Sequence, residues 1–163
     1  MKAIVYGGQQ NTLLMNVDDP QCLTGTDVKV KVVLSGICGT DINVLRGRFS
    51  AKKGVVLGHE AVGYVSDIGK GVKRIKIGQR VIIDPTFYCG YCCFCCSGKF
   101  NLCDNKIGNE VGIDFNGTHA EYVIIPERFL YPIPAGVDFE KAVFTEPLAC
   151  VLNNISAANV NLQ

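Results

Sequence analysis

Six of the nine cysteines in this 163-residue chain fall between Cys89 and Cys103, and that crowding constrains the fold more than any other feature. Nine is an odd number, so internal disulfides cannot use them all. A small secreted domain spreads its cysteines to staple distant loops, whereas a tight cluster in an ordinary globular composition points to metal in a reducing compartment. Cys89-Gly-Tyr-Cys92 and Cys92-Cys-Phe-Cys95 set three thiols at two-residue spacings, and Cys103 returns after a polar loop. Such spacings let one turn of backbone aim several sulfurs at a single point, and four thiolates fill a tetrahedral zinc shell with no position left open. The expectation is a structural zinc lobe over about residues 86–108, held by Cys89, Cys92, Cys95 and Cys103, whose role is to fold a loop. Cys93 and Cys96 stand as alternative ligands. An iron–sulfur cluster is the rival reading of this cysteine run. In bacterial ferredoxins, however, the last cysteine follows a shorter gap and precedes a proline, whereas here seven residues intervene and Asp104 follows.

The remaining composition is that of a folded, turn-rich chain: 48% apolar, 19% charged, 18 glycines and no tryptophan. The length suits one domain over 1–163 with its own core. A formal charge of +1 supplies no field to draw nucleic acid or an anionic membrane. The one basic run, Lys70 to Arg80, alternates with apolar residues and glycines, as the solvated side of a hairpin does. The N-terminal residues turn polar too soon for a signal peptide and no stretch is long and apolar enough to span a bilayer, so a cytoplasmic location is expected.

Period-two alternation recurs in Lys2 to Tyr6, Val28 to Leu34, Ala61 to Val65, Arg80 to Asp84 and Glu121 to Ile125, with glycine or proline at nearly every junction. The chain is therefore expected to be mainly β, a barrel of short strands. Two helices are expected. One is a short turn at Asp41 to Arg46. The other is capped by Thr145, carries Glu146 and Pro147 in its first turn, and presents Leu148, Val151, Leu152 and Ile155 as a stripe to pack on the barrel. The polar end, Asn159 to Gln163, reads as a linker.

Outside the cluster, Cys38, His59 and Glu146 sit at turns where side chains can converge. A thiolate, an imidazole and a carboxylate make a three-ligand zinc set that leaves one position for water or substrate. Each also has an ordinary role available: a core thiol, a satisfied polar ring, and a carboxylate at a helix start. Their scatter along the chain carries no metal spacing of its own.

Taken in order, Gly36 to Asp41, Gly58-His59-Glu60, the Cys89 to Cys103 lobe, Gly117 to Tyr122 and Glu146-Pro147 resemble the zinc-dependent medium-chain alcohol and polyol dehydrogenases. The likeness covers almost the whole chain and is nearest the sorbitol, threonine and sugar branch. It implies the N-terminal, GroES-like catalytic domain: a partly open β-barrel with a few short helices and a cysteine-rich zinc lobe. By this resemblance Cys38 and His59 would be zinc ligands, with Glu60 and Glu146 sharing or exchanging the remaining protein position. Thr40 would hydrogen-bond the substrate oxygen and start a proton relay, and Asp41 would orient the His59 ring. The implied cofactors are two zinc ions, one structural and one catalytic, with NAD or NADP bound only by a full-length parent. The implied partner is a small alcohol or polyol, and the implied parent is a homo-oligomer.

One residue departs from the resemblance. His119 stands where an aromatic residue is usual, and a packing role is expected of it rather than zinc ligation. The nucleotide domain of such enzymes has no counterpart here. The nearest glycine pattern, Gly69-Lys-Gly71-Val-Lys-Arg74, lacks its last glycine and falls in the expected hairpin. The chain by itself is thus expected to bind zinc without appreciable hydride transfer, and to bare apolar surface where the rest of such an enzyme would lie. A different class of function, a zinc-stabilised binding module without catalysis, needs only the lobe.

Overall fold

A computed structural model describes residues 1–22, 24–106 and 108–158. Its strands follow the alternation in the sequence. In β3 (Asp27–Ser35), Val28 and Val30 point inward while Lys31 faces solvent. The same inward set continues with Val65 of β4 (Ala61–Ile68), Val81 and Ile83 of β5 (Arg80–Ile83), and Val123 and Ile125 of β6 (Tyr122–Pro126). With β7 (Leu130–Pro132) they form one antiparallel sheet in the order β6-β3-β4-β5-β7. Their inward side chains, closed off by Phe129 and Leu130, make the main core.

Register shifts in the pairing of β3 with β4, at Lys29/Val30 and Val32/Leu34, bend that pair. The sheet therefore curls into a half-barrel. A second, two-stranded sheet pairs β1 (Lys2–Gly8) with β2 (Asn11–Asn16). It is tied to the rest by isolated bridges Ala3–Ala120 and Val5–Val56. Both sheets are antiparallel throughout, unlike the parallel strands of a dinucleotide fold.

The five expected strands all form, with ends shifted by up to three residues; the fourth stops at Ile83, before Asp84. The Lys70 to Arg80 run joins the paired strands β4 and β5, and its lysines are exposed. Two strands were not anticipated. β2 is exposed along its whole length, so nothing imposed an alternating pattern on Asn11-Thr-Leu-Leu-Met-Asn16. β7 is only three residues long.

The helices are α1 (Gly39–Leu45), α2 (Cys93–Cys96), α3 (Phe139–Ala142) and α4 (Thr145–Ala157). α1 is the expected short helix. For α4 two expectations are corrected. Thr145 is its first helical residue and not its cap; the cap position falls on Phe144, which makes no capping bond through its side chain. The reason is local: Phe144 follows α3 closely and already has helical dihedrals, φ −76° and ψ −2°, so the chain never takes the extended conformation a capping side chain needs. Nor does α4 pack its stripe on the barrel. Leu148, Val151 and Leu152 are about half exposed, and no α4 residue is buried. The expected linker, Asn159 to Gln163, lies outside the described residues.

Candidate metal centres

The cysteine lobe leaves the body of the domain beside the isolated bridge Thr86–Glu110. Aromatic packing roots it, with Phe87 stacked on Phe129 at 4.5 Å and Tyr88 on Phe100 at 4.2 Å. Arg128 donates to the carbonyls of Tyr88 at 2.8 Å and Cys89 at 3.4 Å, fixing the chain where the first thiol enters. Cys92 sits at the N-cap of α2, and its sulfur accepts from the Cys95 N–H. One helical turn thereby swings Cys95 beneath Cys92 and leaves Cys93 and Cys96 exposed on the outside.

The sulfurs of Cys89, Cys92, Cys95 and Cys103 all lie within 4.8 Å of one another, with Cys89 and Cys95 at 3.9 Å. A tetrahedral shell with Zn–S bonds of about 2.3 Å has edges of about 3.8 Å, so the cluster has the dimensions of one zinc ion. Sulfurs this close have room for one central atom and are too near one another for a cage of several irons.

The thiols also differ in acidity. Burial raises Cys89, but N–H groups of Tyr91 and Cys92 and contacts from Asn105 and Cys103 outweigh it and bring the thiol down to about 6. Cys95 is pushed up to about 12, by burial first and then by the neighbouring sulfurs. With Cys95 so weakly acidic, the cluster loses its last protons only against a cation.

The second group is assembled from distant segments. Cys38 caps α1 where β3 ends, and His59-Glu60 immediately precede β4. Antiparallel pairing of β3 with β4, Ser35 opposite Ala61, brings the two turns together. A ligand atom from each of Cys38, His59 and Glu60 lies within 4.8 Å of the others. Asp41, on the first turn of α1, is buried behind them. Its Oδ2 accepts from the Cys38 N–H at 2.8 Å, and its Oδ1 stands 4.0 Å from His59 Nδ1. That Oδ1 is buried without a hydrogen-bond partner, which suits a carboxylate waiting for a ring fixed by an ion on its other nitrogen. One thiolate and one carboxylate would neutralise a divalent ion. The Cys38 thiol contacts the Thr40 hydroxyl at 3.6 Å, so Thr40 faces the same point.

Glu146 is outside this trio among the described residues. Its acidity nonetheless registers the site: burial raises its pKa, His59 opposes the rise and Glu60 adds to it. Its carboxylate instead accepts from the thiol of Cys150 at 3.8 Å, one helical turn on. Sequence reading had not singled out Cys150, although its i, i+4 spacing from Glu146 on an expected helix was the available signal. A groove of about 530 Å³ runs between α4 and the lobe, lined by Asp84, Tyr88, Phe100, Tyr131, Glu146 and Cys150.

Residues 24–135 match the family described as the alcohol dehydrogenase GroES-like domain, and the chain belongs to that family. The sorbitol dehydrogenase of Halalkalibacterium halodurans is 40% identical over 135 residues, 82% of this chain and 39% of the relative. Galactitol-1-phosphate dehydrogenase of Escherichia coli superposes with a TM-score of 0.91 at 26% identity, over 98% of this chain and 45% of that one. A short chain alcohol dehydrogenase of Escherichia coli CFT073 complexed with NADH gives 0.88 at 33% identity, over 96% and 45%. The chain thus spans less than half the length of these relatives. Among the described residues no helix is long and apolar enough to cross a membrane.

Proposed function

We propose that this chain is the zinc-binding catalytic domain of an NAD(P)-dependent oxidoreductase that oxidises a secondary alcohol of a polyol, sugar or hydroxy amino acid. The observation that carries the reading is the convergence of Cys38 with the neighbouring His59 and Glu60, from two distant turns of the chain, around one point with Thr40 beside it. Cys38 and His59 hold the ion, and Glu60 and Glu146 share the third protein position. A zinc ion there supplies Lewis acidity to a substrate hydroxyl. Thr40 accepts the proton of that hydroxyl into a relay, and Asp41 keeps the His59 ring in the orientation and tautomer that ligation requires. The sulfurs of Cys89, Cys92, Cys95 and Cys103 hold a second zinc that orders the lobe.

Hydride transfer requires a nicotinamide site, and relatives more than twice this length supply the precedent for one; the NADH complex is an example. The reading therefore assigns catalysis to a longer, homo-oligomeric, cytoplasmic parent, and metal binding to this chain. Metal analysis after zinc-replete purification tests it, with two ions per chain expected. One ion, confined to the lobe, would favour a binding module. Incubation with NAD and a panel of polyols should give no substantial turnover, and turnover by this chain would refute the division of labour.

A further inference from the structure

His119 belongs to neither metal group, yet its ring lies where the two ligand-bearing turns meet. Its Nε2 is 3.0 Å from the carbonyl oxygen of Gly36. A carbonyl only accepts, so Nε2 must carry the proton. The ring's Cγ and Cδ2 lie against Gly58, which has φ +92°, and a β-carbon at that position would run into them. The imidazole thus contacts both the residue preceding His59 and the end of β3 that leads into Cys38.

The backbone around His119 is pinned. Its N–H donates to Leu57 O at 2.9 Å and its carbonyl accepts from Ile4 N–H at 2.8 Å. Next to it, Thr118 N–H donates to Gly58 O at 2.9 Å, and the buried Thr118 hydroxyl pairs with Ser35 Oγ at 2.8 Å. Residues 117–119 therefore form a brace across the two turns. The brace reaches Glu60 as well: Gly36 N–H donates to Glu60 O at 2.7 Å, and the Glu60 carboxylate lies over Gly36 where a side chain would otherwise stand. A shift of Gly36 moves Cys38 along one direction of the chain and Glu60 through this contact.

We propose that His119 is a positioning residue for the open metal site: its Nε2–H holds the Gly36 carbonyl and thereby sets Cys38 and Glu60 at ligating distance from His59. This rests on the reading of Cys38, His59 and Glu60 as a metal site. None of the contacts of the brace involves Cys89, Cys92, Cys95 or Cys103.

Cobalt(II) titration of the zinc-loaded-lobe protein tests it, following the thiolate–cobalt absorption of the open site. His119→Phe fills the space over Gly58 without a donor, and His119→Gln retains a donor at the same reach. The Phe variant is expected to bind cobalt about tenfold more weakly, the scale of one hydrogen bond, with a shifted absorption band. The Gln variant should recover the native affinity and band, and zinc in the lobe should be unaffected in both. Long-range proton–nitrogen correlation should find the wild-type His119 ring protonated at Nε2. Native cobalt affinity and spectrum in the Phe variant, or an Nδ1–H tautomer in the wild type, would overturn the proposal. A wild-type chain that takes up no cobalt outside the lobe would overturn the metal-site reading itself, and the proposal with it.

Discussion

Asp41 and His59 face each other across 4.0 Å, Oδ1 to Nδ1, with the carboxylate oxygen buried and unpaired. The gap is about one ångström longer than a hydrogen bond, and ligation of the opposite ring nitrogen is what would close it. Asp41→Asn keeps an oxygen for the Cys38 N–H but removes the charge behind the ring. Zinc affinity of the open site, measured by competition with a chelator, should fall 10- to 100-fold, the usual scale for partners of ligating histidines, with little change in thermal unfolding.

Within the lobe, Cys103→Ser should cost about one zinc ion per chain in elemental analysis, whereas Cys93→Ser and Cys96→Ser should leave zinc content unchanged. Zinc loss from either of the last two variants would reassign the ligands.

Metal uptake by the lobe should also be proton-linked. At neutral pH the Cys89 thiol, near 6, is largely ionised in the metal-free protein, while Cys95, near 12, retains its proton. Zinc must displace the protons that remain, so affinity rises with pH and weakens steeply as pH falls through the Cys89 value. Proton release on zinc addition, followed with an indicator in weak buffer, checks the sign.

Glu127 anchors the connection between β4 and β5. Its Oε1 accepts from the backbone N–H groups of Lys73 at 2.8 Å, Ile75 at 3.1 Å and Arg74. Desolvation is the largest single influence and raises its pKa, but the three donors and the Arg74 charge together prevail and hold it below the ordinary glutamate value. A depressed folded-state pKa stabilises the fold above the unfolded value and loses that contribution as pH falls through the folded one. Glu127→Gln should therefore lower stability by about 1 kcal/mol at pH 7, a figure discounted for solvent exposure. In urea melts the difference from wild type should fade as the pH drops below the ordinary glutamate range.

Phe129 joins barrel to lobe. It is 1% exposed, stacks on Phe87 and meets Tyr88 edge-on at 5.1 Å. Phe129→Ala should destabilise by about 3–5 kcal/mol. Hydrogen exchange should reveal faster opening at Phe87 to Cys89 than at β1.

What the sequence made legible follows from how far each feature reaches along the chain. The lobe could be read because its four sulfurs are set by one turn and one short return. Strands β3, β4, β5 and β6 could be read because each buries one face, which forces alternation on valine and isoleucine. β2 left no such trace, having no buried face. Cys38 and His59 could be picked out as ligand types at turns but have no spacing signal, since the pairing of β3 with β4 is what unites them; the family likeness decided between a metal site and their ordinary roles. The brace through His119 was out of reach for the same reason. Its meaning lies in the nearness of one ring to the Gly36 carbonyl and to the bare Cα of Gly58, a proximity that a string of letters does not display. The stripe on α4 was legible as a stripe, but amphipathic spacing does not say what covers it, and here the described residues leave it uncovered.

The unequal reach of the two sulfur-bearing groups has a consequence for how the polypeptide matures. Closing the short loop from Cys89 to Cys103 costs little chain entropy, so a disordered chain can already capture an ion there. The trio at Cys38, His59 and Glu60 exists only after β3 and β4 have paired. On the proposed function, loading would thereby be ordered in time, knuckle before pocket. Because the unfolded ensemble competes for the first ion, that ion should raise the melting temperature by less than its tight binding suggests.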